Sequence, residues 1–340
     1  MGKNNNLTDF LTDVANAIRE KEVSSEAINP QDFVAKIRSL AGLPDVDKTH
    51  NELDTFLTDV ANTLREAHGT SEPINPQAFS AQILSIVTVI TDMKLLPLFV
   101  EAIEPLTVSF SVNPIEYSLD NNIWQTLPVG SSTPIIGAGQ KVYFRASGLT
   151  ATTAVGIGTF SATGRHNIGG NIMSMAYGAD FKDQTEITQY NQFRKLFEAC
   201  STIVDVSKLI LPATSLANYC YQNMFYGCTS LVNAPTLPAT SLKNNCYVAM
   251  FYGCTSLVNA PTLPATSLRN YCYQNMFRNC TSLNYIKAMF KTTPSTNYTN
   301  NWVNGVSSTG TFVKNSEATW ADTFGISAIP TGWTVETADE

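Results

Sequence analysis

The sequence predicts a multidomain α+β protein, with N-terminal helical-hairpin repeats, a middle β-domain and a C-terminal repeat solenoid closed by a capping segment. Three observations predict this class: a segment that occurs twice near the N-terminus, short alternating stretches in the middle, and a 26-residue unit that recurs further on. The chain has 340 residues, 44% of them hydrophobic, enough for several cores. The expected domains are helical repeats 1–46 and 47–94, a β-rich spacer 95–190, the solenoid 191–290, and a cap with an acidic tail, 291–340.

The N-terminal region contains one predicted helical unit twice. FLTDVAN at 10–16 returns at 56–62, and the two copies are identical at 19 of 31 aligned positions. In each copy the apolar residues recur at helical spacing and form one stripe. A hairpin this small holds little core, so we expect the stripes either to form a small bundle or to dock on a larger assembly. The residues expected to dock or oligomerise are Phe10, Leu11, Val14, Ile18, Phe56, Leu57, Val60 and Leu64.

The middle region consists of short stretches in which apolar and polar residues alternate. LTVSFSV at 106–112 and KVYFRA at 141–146 are examples, and turn-forming residues separate such stretches. Asp120 and the two asparagines after it lie between EYSL and IWQTL, which indicates a hairpin. We expect Trp124 and Tyr143 to be buried or half-buried sheet residues rather than ligand platforms.

The third region carries the most regular pattern. CTSLVNAPTLPATSL at 228–242 recurs identically at 254–268, with a degenerate copy before it and a partial copy after it. Within each copy, apolar residues at every fourth position predict a short helix that ends at Gly227, and Leu231 begins an extended rung. The residues of this apolar stripe in the first copy are Leu216, Cys220, Met224 and Cys228. Stacked units would place like residues on like residues, which predicts a solenoid.

The cysteines follow the same register and predict buried, free thiols. One series is Cys220, Cys246 and Cys272, and the other is Cys200, Cys228, Cys254 and Cys280. Each lies on the apolar stripe, where a thiol behaves as a small hydrophobic group. Zinc knuckles need paired cysteines close in sequence, and a nucleophilic cysteine needs a base, and neither pattern is present.

Charge is distributed unevenly along the chain. The formal net charge is −7, and residues 1–92 hold 7 Lys and Arg against 14 Asp and Glu. No carboxylate or histidine occurs between Asp205 and Glu317, so that segment lacks the groups of acid–base catalysis and of hard-metal binding. We therefore expect no enzyme activity, no catalytic residue, no metal and no cofactor. The seven cations of the segment are too sparse for nucleic acid, and no apolar run is long enough to enter a membrane.

Side chains beside the apolar stripe are the candidates for binding. Aromatic, amide and hydroxyl groups without carboxylates suit contacts with sugars or with a protein partner. The expected ligand-binding residues are Tyr221, Tyr247, Tyr273, Tyr226, Tyr252, Asn233 and Asn259. The same residues could also serve only to cover the surface of the repeat.

The repeated motif resembles a known family. MFxGCTSL followed by a rung that contains Leu-Pro resembles the BspA type of leucine-rich repeat, which occurs on bacterial and protozoan surfaces and in phage virions. The duplicated N-terminal unit resembles helical repeats of phage structural proteins. The segment NWVNGVSSTGTFVKNSEATW, which begins at residue 301, resembles the closing segment of such proteins in Bacteroides-infecting, crAss-like phages. The resemblance implies a leucine-rich-repeat solenoid on a virion.

With the absence of acid–base groups from the repeats, this resemblance implies a non-enzymatic virion surface protein, a head or tail fibre or adhesin. It would dock through its N-terminal helices and display the solenoid to a host surface glycan or protein. Its other partners would be virion proteins and further copies of itself, after assembly in the host cytoplasm. Two alternatives stay open, a purely structural decoration or connector protein and a bacterial surface adhesin. The start MGKNNNLTDFLTDV lacks the secretion signal that the bacterial adhesin would carry.

Overall fold

Strands dominate the part of the chain that the computed structural model describes, which comprises residues 93–111, 115–146, 158–292, 294 and 296–338. The first strands are β1 (Leu98–Ala102), β2 (Val108–Phe110), β3 (Ile115–Ser118), β4 (Gln125–Leu127), β5 (Lys141–Ala146), β6 (Phe160–Ala162), β7 (His166–Asn171) and β8 (Ile203–Ile210). A four-residue helix, α1 (Ser174–Tyr177), follows β7. Six of the strands form a sheet in the order β4-β3-β5-β1-β7-β8, and β2 pairs with β6.

The alternation of buried and half-buried residues along strands such as β5 explains how the sheet forms. In β5, Val142 and Phe144 are buried on one face, while Tyr143 is half-buried on the other. The predicted hairpin is confirmed, because β3 and β4 pair antiparallel. At its turn the Asp120 carboxylate accepts hydrogen bonds from the backbone N–H groups of Asn122 and Ile123 at 2.9 and 2.8 Å. These bonds to the charged form lower the pKa of Asp120.

The repeated segments continue from the sheet as a stack of coils. All neighbours in the sheet are antiparallel except β7 and β8, which run parallel, so β8 starts a parallel series. Bridges join Asp205 to Asn233 and Asn259 to Tyr285, each in parallel. The series ends in a parallel sheet of β9 (Tyr285–Ala288), β10 (Thr311–Lys314) and β11 (Thr334–Thr337), and a short helix, α2 (Thr296–Thr299), precedes β10. The stack therefore continues past residue 290 into the segment expected to be a cap.

Tandem β-turns form the side of each coil where the sequence predicts a helix. The φ angle is positive at Tyr219 (60°), Asn223 (56°) and Gly227 (74°), every fourth residue, and such angles interrupt an α-helix. Backbone N–H groups bond alternately within the turn and to the next coil: Met224 donates to the carbonyl of Tyr221, and Phe225 donates to that of Met250. A helix would direct every N–H to the residue four positions earlier.

Aromatic columns fill the interior of the stack. The rings of Phe197, Phe225, Phe251 and Phe277 stack in series, with centroids 5.3, 5.5 and 5.8 Å apart. A second column comprises Phe193, Tyr221, Tyr247, Tyr273 and Trp302. The core thus passes without interruption from the sheet through the stack. Such columns require every coil to keep the same register.

Tryptophans link the last layers. The indole N–H of Trp302 donates to the Ala328 carbonyl at 2.8 Å, and that of Trp333 donates to the Ser307 carbonyl at 2.8 Å. Both bonds join residues 26 positions apart. They satisfy the polar group of a large side chain that is otherwise buried.

The expected fold class is wrong. The described residues form mixed, parallel and antiparallel sheets with only short helical segments, and they contain no helical-hairpin repeat. The repeated segments lack the helix and strand of a leucine-rich-repeat unit, since tandem turns replace the helix and isolated bridges replace the strand. The physical reason is that a four-residue apolar period fits tandem turns as well as a helix. The predicted N-terminal hairpins and their eight docking residues lie outside the described residues.

Candidate functional site

Three of the expected ligand residues lie in the core. Tyr221, Tyr247 and Tyr273 are each 1% exposed and belong to the second aromatic column. Burial raises the pKa of each phenol well above its ordinary value. The expectation that these tyrosines face a ligand is therefore wrong. They follow a buried cysteine directly, because the tandem turns bury residues in adjacent pairs and not along one helical stripe.

Tyr226 and Tyr252 lie on one edge of the stack and form, with Arg278, a tyrosine column. The two rings stack with centroids 4.6 Å apart, and the Arg278 guanidinium lies 5.6 Å from the centroid of Tyr252. The Asn279 side chain donates to the Tyr252 hydroxyl at 3.3 Å. The Tyr252 ring thus lies between Tyr226 and Arg278, which leaves it no open face for stacking with a sugar. This column offers the tyrosine hydroxyls for hydrogen bonding.

Asn233 and Asn259 lie on the rung face, where with Asp205 they form an amide column. Both asparagines are exposed, and the bridges place Asp205 beside Asn233 and Asn259 beside Tyr285. The Asn233 amide donates to the Asp205 carboxylate at 2.7 Å, so part of its hydrogen-bonding capacity is used within the protein. Asn259 retains an accessible amide that can donate and accept.

The cysteines are buried and free, as expected. The thiols of Cys228, Cys254 and Cys280 donate to backbone carbonyls of the preceding coil at 3.1, 3.1 and 2.9 Å. Burial raises the pKa of Cys220 to about 12. Their role is packing, since a protonated and inaccessible thiol is a poor nucleophile and a poor metal ligand.

Cations without ion pairs mark another edge of the stack. Lys243 and Arg269 occupy equivalent positions in successive coils, each two residues after a serine of the bridged pair Ser241 and Ser267. Both are exposed, and neither forms an ion pair with another described residue. We call these two cations, with Asn244 and Asn270 beside them, the basic corner; the asparagines are exposed too. The expected site residues did not include it, although aligning the repeats at 26 residues brings the two cations together.

Carboxylates neutralise cations at the two ends of the stack. Lys208 lies 3.7 Å from Glu101 of the sheet, and Lys314 lies 2.7 Å from Asp322 near the C-terminus. Lys291 pairs with Glu317. The coils between have no acidic residue of their own, so no carboxylate of these coils can neutralise the basic corner.

A shallow cavity of about 310 Å³ opens near the C-terminal end of the stack. Trp320 and Pro294 contribute to its lining, with Phe324 and Ile326 half exposed beside them. The lining is mainly apolar and brings no titratable group to the cavity. It can hold an apolar group but offers little to orient one.

The described residues contain no cluster of three or more histidine, cysteine or acidic side chains that could hold a metal ion. Within the same residues, no helix is both long and apolar enough to cross a bilayer. Comparison of the chain with known protein families, curated proteins and solved structures finds no match.

Proposed function

We propose that the chain is a non-enzymatic surface protein of a phage particle, a head or tail fibre or adhesin that contacts a host surface glycan or protein through its stacked coils. The observation that carries the proposal is the surface of the stack. Exposed amide and cationic side chains recur one coil apart there, and no carboxylate occurs among residues 206–316. Such a surface can hold a ligand by many weak contacts.

The interior of the stack supports binding rather than catalysis. Its nucleophilic groups, the seven thiols, are buried, and the buried phenols belong to the packed columns. Hydrogen bonds between coils hold alternate backbone groups, so the exposed columns keep a fixed spacing. A preformed surface loses little conformational entropy when it binds.

The placement on a virion rests on the resemblance of the repeated motifs to those of phage particle proteins. The duplicated N-terminal segment would attach the chain to other virion proteins or to further copies of itself. Apolar residues at helical spacing, as in that segment, suit attachment, because burial of apolar area drives association. The stack would then face outward.

The buried thiols make a direct test possible. Asn259→Cys places one reactive thiol on the stack of the full-length protein, and a polyethylene glycol maleimide then attaches there alone. Thr126→Cys, on exposed β4, is the matched control. Both labelled proteins are tested by flow cytometry for binding to cultured Bacteroides cells that carry surface polysaccharide.

Binding by the unmodified protein and by the labelled control, but not by protein labelled at position 259, is the expected result. Equal binding by both labelled proteins, or no binding by the unmodified chain, would overturn the proposal. A third result would indicate a structural connector protein instead. In that case the chain labelled at position 259 would still bind cells but would no longer assemble into particles.

A further inference from the structure

We propose that the basic corner binds the acidic sugar units of an anionic polysaccharide. This inference rests on the proposed function and names its ligand chemistry. Lys243 and Arg269 would share the carboxylate of a sugar acid, while Asn244 and Asn270 would bond its hydroxyl groups. The corner is separate from the tyrosine and amide columns.

Register brings the two cations together. The backbone N–H of Asn245 donates to the Asn270 carbonyl at 3.0 Å, which aligns the two coils directly after Lys243 and Arg269. The rings of Phe225 and Phe251, which belong to neighbouring coils, have centroids 5.5 Å apart, and this distance indicates the spacing between coils. Like charges opposite each other on paired backbone are destabilising. An anion between them removes that repulsion.

Among the described residues, no carboxylate forms an ion pair with either cation of the basic corner. Lys208, Lys291 and Lys314 each pair with a carboxylate, whereas Lys243 and Arg269 have no such partner in the described part of the chain. The Arg269 guanidinium donates to the neighbouring Leu268 carbonyl at 3.3 Å and to no other residue that the structure describes. Its remaining donors are available to a ligand, and a guanidinium bonds carboxylates in a bidentate manner.

Polar and aromatic neighbours favour a sugar over a simple ion. The backbone N–H of Asn244 donates to the Asn218 side chain at 3.1 Å, which in turn donates to the Tyr190 hydroxyl at 3.2 Å. This chain of bonds orders the surface below the cations. Tyr271 is 40% exposed, two residues beyond Arg269, and adds an apolar ring. Amide groups and an exposed ring beside cations are suited to a hydroxylated anion.

The number of charges favours a sparsely charged polymer. Duplex DNA carries one charge per about 1.7 Å, and a protein needs several clustered cations to follow it. Two cations suffice for a polysaccharide that carries one carboxylate per sugar or per few sugars. The net charge of −7 opposes a denser polyanion.

The test measures binding of short galacturonic acid oligomers to the full-length protein by isothermal titration calorimetry, at about 20 and 150 mM salt. Galactose oligomers of equal length are the neutral probe. The variant is Lys243→Gln with Arg269→Gln. The control, Lys94→Gln with Arg165→Gln, removes one lysine and one arginine that precede the repeated segments in sequence. Protection of the thiols from a maleimide checks that each protein is folded.

We expect the acidic oligomer to bind and the neutral one not to, with weaker binding at the higher salt concentration. The corner variant should lose about tenfold in affinity at low salt, and the control should stay within about twofold of the parent. Equal affinity of parent and corner variant, equal binding of both oligomers, or no binding of the acidic oligomer would overturn the inference. If cell binding persists in the corner variant, the proposed function stands and only the ligand assignment fails. Tighter binding of a single-stranded oligonucleotide would also contradict a sugar ligand.

Discussion

At the residue scale, side chains of one type have different environments along the repeat. Tyr221 is in the core, while Tyr226 is half-buried on the tyrosine column, although only five positions separate them. The sequence predicts the recurrence of both, but the choice between core and surface depends on the turn geometry. A helix and a series of tandem turns bury different neighbours of the same cysteine.

Removal of the Tyr221 hydroxyl is predicted to stabilise the protein. This hydroxyl is buried without a hydrogen-bond partner among the described residues, and Phe193 occupies the equivalent place in the preceding coil. Tyr221→Phe should therefore raise the free energy of unfolding by about 1 kcal/mol, because it removes an unsatisfied buried group. Urea denaturation measures the change. Tyr252→Phe removes an exposed, bonded hydroxyl and should give no gain; a loss of stability in Tyr221→Phe would contradict the prediction.

His166 predicts a pH dependence of stability. Its ring is buried on β7, Nδ1 lies 2.8 Å from the Gly164 carbonyl, and Nε2 has no partner in the described part of the chain. Burial lowers the pKa of the imidazole below its ordinary value of 6.5. The folded state thus binds fewer protons than the unfolded state near and below pH 6.5. The stability that the neutral His166 ring contributes is therefore fully present above pH 6.5, and it is lost as the pH falls through the lower pKa of the folded state.

Urea denaturation at about pH 7.5, 6.5 and 5.5 measures the free energy of unfolding, which should decrease toward the lowest pH. In the His166→Phe variant this decrease should be smaller. The Phe160 ring lies 5.4 Å from the His166 ring, so a phenyl group at position 166 would keep an aromatic contact there. An unchanged decline in the variant would show that other groups cause it.

At the element scale, apolar residues at every fourth position are compatible with two backbone conformations, an α-helix and a series of tandem β-turns. The sequence predicts the strands of the middle region, the hairpin at Asp120 and the register of the repeats. It predicts a helix where tandem turns occur, because residues four apart share a face in both. The missed signal is the frequent asparagine or glycine at positions four apart, as at Asn223 and Gly227, since these residues tolerate positive φ.

Gly253 tests the tandem turns. Its φ angle is 72°, and an added Cβ would meet only backbone atoms of Gly227, the nearest at 3.8 Å, which is an ordinary contact. Gly253→Ala should therefore cost about 1 kcal/mol of unfolding free energy from backbone strain alone. Thr240→Ala, at an exposed position of the same stack, should have almost no effect in the same urea titration. Equal stability of the two variants would exclude the left-handed conformation at Gly253.

At the scale of the whole molecule, the stack transmits register from the sheet to the C-terminus. Each coil contacts its neighbours through hydrogen bonds and ring columns, so its stability should depend on nearest-neighbour interfaces. The sequence could indicate this because the repeats are nearly identical. It could not indicate how the sheet and the stack join, because the parallel pairing of β7 with β8 involves residues distant in sequence.

The central claim is that 26 residues make one coil in a continuous stack, and a matched pair of deletions tests it most directly. Deletion of residues 229–254 joins Cys228 to Thr255, which restores the native local sequence and removes one whole coil. Deletion of 229–253 removes one residue fewer and shifts every later side chain by one position. The readouts are cooperative urea unfolding and protection of the remaining thiols from a maleimide.

The account predicts that the 26-residue deletion folds cooperatively with its thiols protected, and that the 25-residue deletion loses both properties. Equal behaviour of the two proteins would contradict a stack in register.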